Sequence, residues 1–214
     1  MRVFFDVDGV LIDGWHADTA RRRPWNARLA EDLDMDAACF ETLLFGRDAG
    51  QRQSVIQECA TGTRDLLEAL KDILPQTGYD GSVADFVAYW FEKDSAINAE
   101  LFEIIASLRT HDEVEVYVAT GQEHYRADYL WNTLGFANRF DGIFYSAAVG
   151  HSKKDPRFFE AINTALSIGP DEKPLLVDDQ PEVIDVARRA GWEGIVFESA
   201  ADMHRHPRIA AILD

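Results

Sequence analysis

The chain has 214 residues, 47% of them hydrophobic, which suffices for one sizeable domain or for a core domain that carries a smaller insertion. It contains 21 Lys and Arg residues against 38 Asp and Glu residues, so its formal net charge at pH 7 is −17. This charge repels nucleic-acid backbones and anionic lipid surfaces, and we expect neither as a partner.

The N-terminus shows no secretory signal and no membrane span. Its apolar start ends at Asp6 and Asp8, far short of the length that either would need. The two cysteines, Cys39 and Cys59, form no CxxC motif, and we interpret them as reduced core residues. These features predict a soluble cytoplasmic protein.

Short segments rich in Val, Ile and aromatic residues, each ending in turn or charged residues, predict five strands. They lie in MRVFFDVDGV at the start, VEVYVAT (114–120), GIFYSA (142–147), PLLVDD (174–179) and GIVFES (194–199). Helical periodicity covers 124–136, 156–168 and 181–191, and the last of these begins with Pro and ends with Gly. Strands that alternate with helices predict an α/β fold, with a parallel sheet covered by helices on both faces.

One interval interrupts this alternation. Between about Gly14 and Thr110 the sequence shows only helical patterns, such as GTRDLLEALKDIL and VADFVAYWFEK. Nearly a hundred residues are too many for one crossover helix. We therefore predict a helical domain at 15–95, here called the helical insert, within a Rossmann-like core domain formed by 1–14 and 96–214.

Polar residues follow the first, second and fourth predicted strands, and a pair of lysines lies after the third. In a parallel α/β sheet, ligands bind beyond the carboxyl ends of the strands, so these residues are the candidates for a site. They are Asp6, Asp8 and Gly9 after the first strand, Thr120 and Gly121 after the second, Lys153 and Lys154 after the third, and Asp178 and Asp179 after the fourth.

Carboxylates crowded at one sheet edge repel each other unless a cation lies among them. Mg²⁺ prefers such oxygen ligands, and with a nearby lysine it can offset the charge of a bound phosphate. Asp6 and Asp8 are two residues apart, so one can attack phosphorus while the other reaches the leaving oxygen. The pattern predicts phosphoryl transfer in a pocket less acidic than the protein as a whole.

The order of these motifs resembles that of the haloacid dehalogenase-like (HAD) superfamily. DxDGV comes first, followed by a hydrophobic strand ending in Thr-Gly, a Lys ahead of Asp-Pro, and a strand ending in Asp-Asp. The resemblance extends from Asp6 to about Gly191, and the helical insert is similar to the helical cap of this family. YWFEKDSAINAELFEII and DDQPEVIDVARRAG are most similar to sugar-phosphate phosphatases and to the phosphatase domain of soluble epoxide hydrolase.

The resemblance implies a role for each matching residue. Asp6 would be the nucleophile that becomes an aspartyl-phosphate, and Asp8 the general acid and then the base. Thr120 would bind the phosphoryl oxygens, and Lys153 would hold Asp6 and the phosphoryl charge. The Mg²⁺ ligands would be Asp6, the backbone carbonyl of Asp8, Asp179 and, beside it, Asp178. Gly9, Gly121 and Arg47 are the candidate substrate-binding residues.

Two positions depart from the family pattern. Lys154 stands where Pro usually follows the catalytic lysine, and we assign Lys153 as that lysine because Asp155-Pro156 fixes the register. Val183 stands where many relatives carry a further metal-loop Asp or Asn, which leaves more of the metal binding to Asp178 and Asp179.

The expected function is Mg²⁺-dependent hydrolysis of a small phosphorylated metabolite through an aspartyl-phosphate. The alternatives are a sugar phosphomutase, a 2-haloacid dehalogenase, whose relatives lack the Asp8 carboxylate, and a non-catalytic phospho-receiver or binding module. No motif in the helical insert identifies the substrate, and none indicates the oligomeric state. Trp15, Trp25, Trp90 and Phe91 are interpreted as core residues rather than as a substrate platform.

Overall fold

Five parallel strands form one sheet in the computed structural model, which describes residues 1–16, 18–46 and 53–213. The strands are β1 (Arg2–Phe5), β2 (Glu115–Thr120), β3 (Gly142–Tyr145), β4 (Leu175–Asp178) and β5 (Glu193–Val196). Their order is β3-β2-β1-β4-β5. The predicted α/β fold is thus confirmed, and β1 lies at the centre of the sheet, hydrogen-bonded to β2 and to β4.

Alternation along β1 directs side chains into two apolar cores. Val3 and Phe5 belong to one core, with apolar residues of the helix that precedes β2, while Phe4 belongs to the other, with Phe158 and Ile184. Successive side chains of a strand point to opposite faces, so a continuous apolar run fits a sheet that is buried on both sides. All three β1 side chains are fully buried.

Twelve α-helices are present in the described ranges. They are α1 (Leu29–Leu33), α2 (Ala37–Phe45), α3 (Val55–Ala60), α4 (Leu66–Ile73), α5 (Val83–Lys93), α6 (Ala99–Leu108), α7 (His124–Asp128), α8 (Ser146–Val149), α9 (Pro156–Ala165), α10 (Pro181–Arg189), α11 (Ala201–Arg205) and α12 (Pro207–Leu213). Within these ranges, none of the helices combines the length and apolar character needed to cross a bilayer.

Helices α1–α5 belong to the helical insert and share an apolar core of their own, which includes Phe40, Leu70 and Phe86. The segments that lead into and out of the insert lie side by side and are joined by backbone hydrogen bonds. The Asp13 amide donates to the Ala96 carbonyl at 2.7 Å. The amide of Asn98 donates to the Leu11 carbonyl at 3.0 Å. The division into two domains at 15 and 95 stays a prediction.

The predicted helix at 124–136 is broken up in the structure. Helix α7 ends at Asp128, a π-helical turn spans Tyr129–Thr133, and a short 3₁₀ turn spans Phe136–Asn138. Gly135 between them has φ of +80°, a left-handed conformation that glycine adopts at little steric cost. The spacing of apolar residues over 124–136 therefore indicated which side chains are buried. It did not indicate one continuous helix, because the backbone conformation changes twice along this segment.

We predict that Phe4→Ala lowers the free energy of unfolding by about 3 to 5 kcal/mol, because it removes a fully buried ring from the centre of the sheet. The Phe4 ring lies 5.0 Å from the Tyr117 ring and 4.4 Å from the Trp192 ring, between centroids. Urea denaturation measures the change. The control is Val196→Ala on the edge strand β5, whose side chain is exposed; equal losses in both variants would contradict the prediction.

Candidate active site

Three aspartates meet where the central strands end. Asp6 directly follows β1, and its amide donates to the Val177 carbonyl in β4 at 2.9 Å, which aligns the two strand ends. Asp178 ends β4 and Asp179 follows it. One carboxylate oxygen from each of the three lies within 4.8 Å of the others, and all three residues are buried.

Lys153 bridges two of these carboxylates. Its Nζ lies 2.5 Å from Oδ2 of Asp6 and 2.7 Å from Oδ2 of Asp178. Burial lowers the pKa of Lys153, but the two carboxylates outweigh that effect, and the pKa is raised above its usual value. Lys154 instead lies at the surface, with its Nζ 2.9 Å from Oε1 of Glu182. The assignment of Lys153 as the catalytic lysine stays a prediction.

Burial among like charges also affects Asp178. Desolvation raises its pKa to about 7, with Lys153 opposing the rise and Asp6 adding to it. Oδ1 of Asp178 accepts a hydrogen bond from the Gln180 amide at 2.9 Å. Oδ2 of Asp178 forms the ion pair with Nζ of Lys153. Both oxygens of Asp178 thus have partners, and this residue fixes the position of the lysine.

The composition of this cluster fits a hard divalent cation. With Asp6, Asp178 and Asp179 ionised, three negative charges face the single positive charge of Lys153. Buried carboxylate oxygens at this spacing are the ligands that Mg²⁺ prefers, and a divalent ion would offset the excess charge. Val183 is fully buried in the core between α9 and α10 and offers no ligand.

Thr120 ends β2, the strand next to β1, and Gly121 follows it. The Thr120 side chain is fully buried, and its hydroxyl has no hydrogen-bond partner among the described residues. A buried polar group without a partner costs free energy, so this hydroxyl is available for a bound polar group. Gly121 is exposed.

Gly9 is required by the geometry of the loop after β1. Its φ is +80°, and a Cβ there would lie 2.5 Å from Oδ2 of Asp179 and 2.7 Å from the Trp15 carbonyl oxygen. Both the backbone conformation and the close approach exclude larger residues. Gly9 therefore shapes the site by allowing Asp179 to approach the loop.

Asp8 is not one of the three carboxylates of this group. Oδ2 of Asp8 accepts a hydrogen bond from Nε2 of Gln122 at 2.7 Å. Desolvation, with the nearby carboxylates of Asp94 and Asp6, raises the pKa of Asp8 to about 7. Such a carboxyl can both give and take a proton near neutral pH. Metal binding by its backbone carbonyl stays a prediction, and Arg47 lies outside the described residues.

Comparison with known proteins identifies the family. A family model described as haloacid dehalogenase-like hydrolase matches residues 1–191. The chain belongs to the haloacid dehalogenase-like hydrolase family. It is therefore a hydrolytic enzyme, as its motif order suggested.

Solved structures show the same fold. A HAD family enzyme from Bacteroides thetaiotaomicron, crystallised with magnesium and inorganic phosphate, is 18% identical, with 92% of this chain and 93% of that chain covered and a TM-score of 0.69. A HAD-like family hydrolase from Porphyromonas gingivalis is 19% identical, with 99% and 97% covered and a TM-score of 0.69. At these identities the likeness concerns the fold alone.

This HAD-like hydrolase also contains polar site residues that the sequence analysis missed. Gln122 and Glu123 directly follow Thr120-Gly121, and Arg126 lies five residues after Gly121, so their position after the end of β2 is the signal that identifies them. Arg126 is buried and lies 3.7 Å from Asp94 of the helical insert. Nη1 of Arg126 also donates to the Phe91 carbonyl at 3.0 Å. Arg126 therefore ties the core to the insert.

Glu123 supplies a pH-dependent contribution to stability. Its carboxylate accepts the amides of Tyr125, at 2.7 Å, and Arg126 at the start of α7. Burial nevertheless raises its pKa from 4.5 to about 7. The folded state thus holds a proton that the unfolded chain loses near pH 4.5. This contribution is complete below pH 4.5 and disappears as the pH rises through 7.

We predict that Glu123→Gln, which stays neutral, loses less stability than the wild type as the pH rises. Its free energy of unfolding relative to wild type should increase by about 2 to 3 kcal/mol between pH 4.5 and 8, measured by urea denaturation. Glu160→Gln on the exposed face of α9 is the control and should follow the wild type. A constant difference between Glu123→Gln and wild type over this range would refute the assignment.

Proposed function

We propose that this HAD-like hydrolase is a Mg²⁺-dependent phosphatase that cleaves a small phosphate monoester through an aspartyl-phosphate on Asp6. The observation that carries the proposal is the ion pair between Oδ2 of Asp6 and Nζ of Lys153, which are 2.5 Å apart. Asp6 belongs to a buried group that also contains the carboxylates of Asp178 and Asp179. The unpartnered hydroxyl of Thr120 at the neighbouring strand end supports a phosphoryl-binding position there. An isolated acidic turn would explain neither feature.

The residues divide the reaction into two steps. In the first, a carboxylate oxygen of Asp6 forms a bond to phosphorus while the bond to the alcohol oxygen breaks, and Asp8 gives its proton to that oxygen. In the second, Asp8 takes a proton from water, whose oxygen bonds to phosphorus as the bond to Asp6 breaks. Lys153 and the Thr120 hydroxyl stabilise the charge on the remaining phosphoryl oxygens.

The metal is assigned from the same geometry. Asp6, Asp178 and Asp179 would hold Mg²⁺, with Asp8 contributing its backbone carbonyl. When bound, the ion supplies positive charge that offsets the charge of the phosphoryl group. The B. thetaiotaomicron enzyme with this fold was crystallised with magnesium and inorganic phosphate, which supports the assignment.

The helical insert would serve as a cap over this site. Residues 15–95 carry their own apolar core, and Arg126 and Asp94 connect them to the core beside Asp8. A cap excludes water during phosphoryl transfer and must admit it for hydrolysis. The cytoplasmic location and the absence of nucleic-acid partners remain predictions from composition and charge.

We predict that Asp6→Asn lowers kcat for Mg²⁺-dependent hydrolysis of an aryl phosphate by at least about 1,000-fold, because the amide cannot act as the nucleophile. Phosphate release is measured with and without Mg²⁺, and circular dichroism confirms that the fold is retained. Turnover within tenfold of wild type would reject Asp6 as the nucleophile. Formation of a phosphate isomer instead of free phosphate would indicate a mutase.

The adjacent lysines provide a matched pair. Lys153→Met should lower kcat/KM by about 100-fold or more, because it removes the charge that lies beside Asp6 and the phosphoryl group. Lys154→Met loses only a surface ion pair with Glu182 and should stay within about twofold of wild type. Thermal unfolding of both variants separates catalysis from stability. Similar activity losses in the two variants would contradict the role of Lys153.

A further inference from the structure

A cavity of about 570 Å³ opens beside Asp8 and extends into the helical insert. Asp8 and Gly121 line the part formed by the core, and Trp25, Phe45 and Trp90 line the part formed by the insert. A cavity of this size accommodates a small-molecule ligand. Because Asp8 is the proposed proton donor to the leaving oxygen, the alcohol part of the substrate would occupy this cavity.

The wall of this cavity on the insert side is aromatic. The Trp25 and Trp90 rings stack with centroids 4.7 Å apart at 16°, and the Phe45 ring meets Trp90 edge-on at 6.3 Å. Trp15 and Phe45 are 46% and 40% exposed, although large aromatic side chains are usually buried. The interpretation of Trp15 as a core residue is therefore wrong, and both exposed rings face the cavity.

The polar side chains of the wall are largely engaged with each other. Nδ2 of Asn26 donates to Oε1 of Glu41 at 2.8 Å. Nε2 of Gln122 donates to Asp8 at 2.7 Å. Among the described residues of the wall, two buried donors have no hydrogen-bond partner, Nε1 of Trp90 and Nε of Arg126. A polyol in this cavity would therefore replace only part of its hydrogen bonds to water, which is unfavourable.

The two arginines of the wall also have partners. Arg126 lies 3.7 Å from Asp94 and donates to the Phe91 carbonyl. Nε of Arg22 donates to the His16 carbonyl at 2.8 Å, and its guanidinium lies 4.1 Å from the Trp15 ring centroid.

The charge balance of the wall disfavours a second acidic group on the substrate. Its described residues include four carboxylates and two guanidinium groups. The carboxylates belong to Asp8, Glu41, Asp94 and Glu123. Asp8 carries a proton as the proposed donor, and burial raises the pKa of Glu123 to about 7, so Glu41 and Asp94 are left to balance the two guanidinium groups. A carboxylate or second phosphate on the alcohol part would therefore lose its hydration with no surplus of positive charge to replace it.

We propose that the preferred substrates are phosphate monoesters of an uncharged, apolar, ring-containing alcohol, whose ring packs against Trp25, Phe45 and Trp90. This inference rests on the proposed phosphatase function and adds the substrate class. Sugar phosphates, the substrates that the sequence resemblance suggests, fit this wall less well because the wall offers their hydroxyl groups few free partners. Burial of the ring supplies the binding energy that selects the substrate.

The test compares three substrates with primary alcohol leaving groups: benzyl phosphate, glycerol 1-phosphate and benzyl phosphate with a para carboxylate. With Mg²⁺ and the 214-residue chain, kcat/KM should be at least about tenfold higher for benzyl phosphate than for either of the others. The remote carboxylate barely alters the reactivity of the ester, so its effect reports on the charge of the cavity.

Variants at Phe45 connect this preference to the wall. Phe45→Ala should lower the ratio of kcat/KM for benzyl phosphate over glycerol 1-phosphate by about tenfold, and Phe45→Leu should retain most of the ratio because it keeps an apolar contact. The exposed Phe45 side chain makes loss of the fold a small risk, and circular dichroism checks it.

The outcomes separate the two proposals. Mg²⁺-dependent release of phosphate with glycerol 1-phosphate equal to or better than benzyl phosphate would overturn the substrate class and leave the phosphatase function standing. An unchanged ratio in Phe45→Ala would also overturn it. No release from any of the three esters or from acetyl phosphate would overturn the phosphatase proposal and this inference with it.

Discussion

The ion bridge from Lys153 to Asp6 and Asp178 is the interaction on which the site depends. It joins the ends of β1 and β4 to the loop that precedes α9, at distances of 2.5 and 2.7 Å. Without the ammonium group of Lys153, three buried carboxylates would repel each other at the carboxyl ends of the central strands. Burial makes the contacts strong, and it also makes loss of either partner costly.

The topology makes this bridge possible. In the order β3-β2-β1-β4-β5, β1 lies between β2 and β4, so Asp6, Thr120 and Asp178 emerge at one sheet edge although they are far apart in the chain. This arrangement also reconciles a net charge of −17 with the anionic substrate that we propose. The carboxylates at this sheet edge contact Lys153 and have the oxygen atoms that a divalent cation prefers. The electrostatic potential at the site can therefore differ from that of the rest of the surface.

Polar and apolar recognition are separated within the proposed site. The strand ends provide the charged groups that would bind the phosphoryl group, whereas the helical insert provides aromatic rings that line the cavity proposed for the alcohol part. Arg126 connects the two parts through Asp94 and the Phe91 carbonyl. Chemistry and substrate selection can thus change independently, because different segments of the chain carry them.

The sequence by itself determined the five strands, the parallel α/β fold and the residues at the strand ends, because hydrophobic alternation and turn chemistry are local. Motif order also led to the prediction that Lys153, rather than Lys154, is the catalytic lysine. Only the tertiary structure decided that Gln122 binds Asp8, that Asp94 meets Arg126, and that Trp15 and Phe45 face a cavity. Most of these contacts join residues that are distant in the chain. The spacing of apolar residues along a helix cannot reveal whether that face of the helix packs against a core or lines a cavity.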